Sequence, residues 1–249
     1  MVTSLASARE LVSPSKAFTV RVDAPGSGDG SGVLIAKDET TYYVLTAWHV
    51  INSEQGAHTI YTHDDIPHQV PFNQIDRIAD YDLAVLTFNS YRNYVAVNIS
   101  PRQPVQDQRV LVSGWLNPLR GIENITHQAI AGSVTGYLDP PNKDGYSLTF
   151  STVGAFQGMS GGPILDDRNR IVGIIGQAAQ AIGPVGIYLG TPISVFLDSR
   201  YRNYLHNSQY SGEGWEPGVY YPTPGEKPKP SITDPVLFPA PGEPPRISR

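Results

Sequence analysis

The sequence predicts an all-β domain of roughly a dozen short strands, followed by a single helix. Three observations predict it. Runs of β-branched and aromatic residues are short and bounded by Gly, Pro, Asn and Asp, as expected for strands on a half-buried pleated surface. Those runs form two sets, parted by two prolines near Ser100–Pro104. One segment, after the last run, carries the spacing of an amphipathic helix.

Taken in order, the first set places strands near Ala17–Val22, Gly32–Ala36, Tyr42–Thr46, Thr59–Thr62 and Leu83–Phe88. The second places them near Val110–Ser113, His127–Tyr137, Tyr146–Phe150, Gly162–Leu165, Ile171–Gly176 and Gly186–Gly190. Pro192 then suits the entrance of a helix over about 193–206, because Ile193, Phe196, Leu197, Tyr201, Tyr204 and Leu205 fall mostly on one face. The folded domain so outlined runs over 16–211, with halves at about 16–100 and 105–192, behind an N-terminal arm over 1–15. From Gly212 the character changes, since ten of the 22 prolines lie in the last 38 residues with no periodic apolar pattern. Residues 212–249 therefore read as an extended linker or tail, partly polyproline II, with a partner possible at Pro241-Gly-Glu-Pro244.

Bulk properties narrow the function. A length of 249 residues allows one large β domain or two small barrels sharing a core. A net charge of -5 and the absence of Lys/Arg runs argue against a nucleic-acid partner. There is no cysteine, which removes disulfides, thiolate metal sites and a thiol nucleophile together. No stretch approaches the length of a membrane span. Met1–Glu10 is polar and lacks a signal-peptide core, so the chain is expected to stay where it is made or to have lost an export signal.

Three segments carry chemistry. In Gly158-Met-Ser-Gly-Gly-Pro163 the glycines permit a tight turn that leaves the amides of Gly158 and Ser160 facing one small space beside the serine oxygen. A serine hydroxyl needs such donors for its oxyanion product and a base for its proton. In Leu45-Thr-Ala-Trp-His-Val50 an imidazole, His49, follows directly on the end of a strand, where a general base can be held. In Asp80-Tyr-Asp-Leu-Ala-Val-Leu86 a carboxylate, Asp82, opens an apolar run and is costly to bury without a partner such as His49. Asp80 competes for this role but lies farther from the apolar run.

With these residues in the order His, Asp, Ser, the chain resembles the trypsin-like peptidase family, at Thr46-Ala-Trp-His49, Asp82-Leu-Ala-Val-Leu and Gly158-Met-Ser-Gly-Gly-Pro. Gly30-Ser-Gly-Val-Leu-Ile, Val172-Gly-Ile-Ile-Gly and Tyr188-Leu-Gly-Thr-Pro-Ile extend the likeness from about Ala17 to Leu205, closest to compact bacterial and cyanobacterial members without disulfides. The resemblance implies a chymotrypsin-like fold of two antiparallel six-stranded β-barrels with a C-terminal helix. It also implies a serine endopeptidase with polypeptide substrates, no cofactor, and His49, Asp82 and Ser160 as a triad. A non-catalytic double-barrel binding module acting through the tail is the other reading.

Two departures from the family stand out. Met159 occupies the place of an acidic residue that captures a newly cut N-terminus in pancreatic members, so activation by that route is not expected. Gly176 has no hydroxyl to brace the triad aspartate, where many relatives have serine, and water or backbone is expected instead. The likeness further places Gly154, Phe156, Gly176, Ala178 and Gly186 around the substrate pocket, none of them acidic. His58, His63 and His68 match no familiar metal pattern and read as a polar surface loop between strands.

Overall fold

The computed structural model describes residues 14–26, 28–52, 56–119, 123–154, 157–182 and 185–205. Two antiparallel sheets form a chymotrypsin-like double barrel. The first contains β1 (Thr19–Ala24), β2 (Gly28–Asp38), β3 (Thr41–Thr46), β4 (His58–Tyr61), β5 (Pro67–Val70), β6 (Ile75–Arg77) and β7 (Ala84–Asn89), in the spatial order β5-β4-β1-β2-β3-β7-β6. The second contains β8 (Asn98–Ile99), β9 (Arg109–Leu116), β10 (Thr126–Tyr137), β11 (Leu148–Thr152), β12 (Pro163–Leu165), β13 (Arg170–Ile182) and β14 (Val185–Pro192), in the order β12-β9-β10-β11-β14-β13-β8. This sheet closes on itself through β12–β13 pairing, whereas the first is a half-barrel.

Three strands were not visible in the sequence, and each for a physical reason. β5 and β6 are short and largely exposed, so they carry no apolar alternation to read. β8 is two residues long and pairs in parallel with β13, Asn98 beside Arg170 and Ile99 beside Ile171. The expected helix over about 193–206 is corrected in its extent. An α-helix, α1 (Trp48–Ile51), lies far upstream, and α2 (Ile193–Leu197) ends after five residues. Ser199 then donates its hydroxyl to Phe196 O at 2.7 Å, accepts the Tyr201 N–H at 3.3 Å, and starts a separate 3-10 turn over Arg200–Tyr204. The apolar face survives the break, with Ile193, Phe196 and Tyr201 buried and Tyr204 stacked on Tyr43.

One hydrophobic cluster joins the first barrel to Leu111, Leu165, Ile171 and Ile174 of the second and to α2. A smaller one, including Val112, Phe150, Met159 and Ile164, fills the second barrel. Polar side chains also cross between barrels. Thr19 on β1 donates its hydroxyl to Ser15 O at 2.8 Å and lies 2.9 Å from Ser113 Oγ on β9, which lies 2.9 Å from His127 Nε2 on β10. Because the Thr19 proton is already given away, Ser113 donates to Thr19 and accepts from His127, whose proton is then on Nε2.

His63 lies exposed in the turn between β4 and β5, as expected, but His58 and His68 do not belong to a surface loop. His58 is fully buried on β4, and His68 on β5 stacks on Phe88 with ring centroids 4.2 Å apart. Burial pushes both side chains below the ordinary imidazole range. Burial, with Lys16 adding to it, pushes His127 down to about 4.

The linkage sign follows. A histidine that stays neutral in the fold but takes a proton at 6.5 when unfolded costs stability as pH falls through the interval between. His127 alone should remove about 3 kcal/mol between pH 6.5 and 4. His127→Asn should flatten the acid side of a stability–pH curve measured by urea unfolding. Equal slopes in the two proteins would show that His127 does not titrate in this way.

Candidate active site

The turn that carries His49 is built by its neighbours. β3 ends at Thr46, whose hydroxyl donates to Ser31 O at 2.6 Å, and α1 follows at once with Val50 and Ile51 buried beneath it. That anchoring turns His49 outward, its side chain 44% exposed. Asp82 sits just before β7 and is only 6% exposed. Its Oδ1 accepts the His49 backbone N–H at 2.6 Å, and its Oδ2 lies 2.7 Å from His49 Nδ1. Asp80 is exposed, and its backbone carbonyl accepts from Arg77, so it makes no such pair.

The brace for Asp82 differs from the one expected. A tyrosine hydroxyl does the work assigned above to water or backbone: Tyr146, 2% exposed, donates its O–H to Asp82 Oδ2. Burial alone would push the Asp82 carboxyl up, but the hydrogen bonds and charge of His49, with the Tyr146 hydroxyl, hold it below the usual carboxylate value. Tyr146 moves the other way, its phenol raised by burial and by the Asp82 charge beside it, so it stays a donor.

Ser160 lies on the turn between β11 and β12. Its hydroxyl donates to Gly176 O at 3.0 Å. The preceding Gly158 adopts φ 93°, and a Cβ there would lie 2.4 Å from Trp115 O, so no other residue fits the turn. Ser31 fixes this turn from the first barrel. Its buried hydroxyl donates to Gly158 O at 2.7 Å and accepts the Trp115 N–H at 2.7 Å, while its own N–H donates to Ser160 O at 2.8 Å. Met159 is fully buried in the core of the second barrel. The Gly158–Ser160 turn is thus anchored by apolar burial and a serine hydroxyl, with no ion pair at Met159. Arg170, at the start of β13, is clamped to Asp166 at 2.8 Å.

Of the residues expected around a substrate pocket, Gly176 and Ala178 lie on β13 and Gly186 on β14. Gly186 pairs with Thr152, two residues before Gly154, so the register brings these residues to one end of the barrel. Phe156 lies outside the described residues. Tyr188, which the sequence reading did not single out, pairs with Ala178, stacks on Phe150 at 5.7 Å and lies against Gly186. Among the described residues, no cluster of three or more His, Asp or Glu side chains is placed to hold a metal ion, and no helix is long and apolar enough to cross a membrane.

The missed residues act through contacts distant in sequence. Ser31 carried one signal, its place between glycines in Gly30-Ser-Gly; Tyr146 carried none beyond its aromatic strand context.

Comparison with known proteins agrees with this architecture. The model of the trypsin-like peptidase domain matches residues 30–174. The chain belongs to the trypsin-like peptidase family and is a serine endopeptidase acting on polypeptides. Among solved structures it is similar to the Rv3671c protease of M. tuberculosis, both inactive and active. For the inactive form identity is 18%, TM-score 0.58, covering 78% of this chain and 94% of that one; for the active form, 20%, 0.60, 85% and 91%. It is also similar to a serine endoprotease from Yersinia pestis, at 22% identity and a TM-score of 0.59, covering 81% and 67%. No curated protein matches the chain.

Ser31→Ala would leave Gly158 O and the Trp115 N–H unpaired in a buried site. A loss of about 2 kcal/mol in unfolding free energy is expected, with a fall in kcat as the turn loosens. Wild-type stability and kcat in the purified variant would show that the turn holds itself.

Proposed function

We propose that the chain cleaves peptide bonds through an acyl-enzyme on Ser160, with His49 as general base and Asp82 orienting it. The observation that carries this reading is the double grip of Asp82 on His49, one oxygen on the backbone N–H and the other on Nδ1. That grip places the ring proton on Nδ1 and leaves Nε2 as the base. For attack, the Ser160 hydroxyl swings from Gly176 O to His49 Nε2, which takes its proton as Oγ bonds the scissile carbonyl carbon. The amides of Gly158 and Ser160 stabilise the oxyanion, and the His49 proton then passes to the leaving amine. Water, deprotonated by His49, releases the acyl group and restores Ser160.

With Met159 buried in the core, no charge at the nucleophile turn waits for an N-terminal ammonium, so activity does not depend on trimming the N-terminus. Gly154, Gly176, Ala178 and Gly186 present no carboxylate to a cationic side chain. An uncharged apolar residue is therefore preferred before the cleaved bond, worth about 2 kcal/mol in burial, whereas Lys or Arg would lose hydration without a partner. A binding module without chemistry has no use for a buried carboxylate gripping an exposed imidazole.

Ser160→Ala and His49→Ala should abolish turnover of peptide and ester substrates with the fold retained, and Asp82→Asn should lower kcat by roughly 10⁴. Turnover surviving in either alanine variant would refute the assignment. A positional peptide library on protein with Met1 intact checks the pocket, where strong cleavage after Lys or Arg would contradict it.

A further inference from the structure

We propose that Tyr146 is the positioning residue for the triad acid, its hydroxyl taking from the second barrel the place of the serine that many relatives carry at position 176. The proposal rests on the triad reading above. Asp82 Oδ2 accepts two donors at once, His49 Nδ1–H and the Tyr146 O–H, while Oδ1 is occupied by the His49 backbone. With its oxygens so shared, the carboxylate has one rotation that satisfies all three donors, and that rotation sets the plane of the imidazole.

The segment carrying Tyr146 is itself clamped to Asp82. Asn142 Oδ1 accepts the N–H groups of Asp144 and Tyr146, both at 3.0 Å, and the Asn142 N–H donates to Tyr146 O at 3.0 Å. Asp144 O in turn accepts the Asp82 N–H at 2.9 Å. Main chain and side chain of the acid are therefore held by one five-residue segment.

Gly176 completes the argument. A Cβ at 176 would lie 2.2 Å from Tyr146 Cε1 and 2.6 Å from its Cζ, inside the ring, and 2.9 Å from Leu189 O. A side chain at 176 and the Tyr146 ring exclude one another. The missing hydroxyl at Gly176 is thus the space the tyrosine needs, and the two features form one exchange.

Tyr146→Phe removes only the hydroxyl and keeps the buried ring. The expected result is a fall in kcat of about tenfold with KM unchanged, together with a thermal midpoint lowered by a few degrees as Asp82 loses a buried donor. Gly176→Ser should also slow turnover, because the serine meets the ring. A wild-type kcat in Tyr146→Phe overturns the proposal. Failure of the triad reading shows elsewhere, as a wild type no more active than Ser160→Ala.

Discussion

A carboxylate buried between two barrels is the constraint round which this structure is arranged. Asp82 is 6% exposed, and an ion so placed must find donors or be neutralised. It finds two on His49, in its own barrel, and one on Tyr146, in the other. The first pair fixes a ring that would otherwise rotate freely at an exposed position. The third donor requires that the second barrel stand at one distance and angle from the first. Satisfying one charge therefore also settles how the two halves dock.

The docking is reciprocal. Ser31 of the first barrel reaches into the Gly158–Ser160 turn of the second, gripping Gly158, Trp115 and Ser160. Tyr146 of the second reaches into the acid site of the first. The Thr19–Ser113–His127 chain adds a third polar crossing, away from the cleft, and Leu165, Ile171 and Ile174 seal the space between with apolar contacts. The Asp82 carboxylate and the Gly158–Ser160 turn are thus each held in part from the opposite barrel, so opening the interface would loosen both. Met159 belongs to the same logic: it is fully buried, so apolar packing formed as the barrel folds holds the turn.

How much of this was legible follows from the range of the interactions. Motifs such as Thr46-Ala-Trp-His49 and Gly158-Met-Ser-Gly-Gly-Pro163 are local, so residue type and spacing carry them, and the longer strands are readable from their β-branched runs for the same reason. Short exposed strands such as β5 and β6 are held by pairing alone and leave no pattern. The helix over 193–206 kept its apolar face but not its continuity, because Ser199 offered the backbone a competing hydrogen bond. Tyr146 lies 64 residues from Asp82, and Ser31 lies 127 from Gly158. No spacing rule connects such pairs. Gly176 is the instructive residue: its lack of a hydroxyl was readable as an absence, and only the fold shows the absence to be room for another side chain.

The account stands on Ser160 being a nucleophile activated by a base that Asp82 holds. Labelling of the purified protein with a fluorophosphonate, followed by mass analysis of the modified peptide, tests this most directly. The account predicts one label per chain, on Ser160, with the rate of labelling collapsing when His49 is replaced by Ala. No label, or a label on another residue, would contradict it.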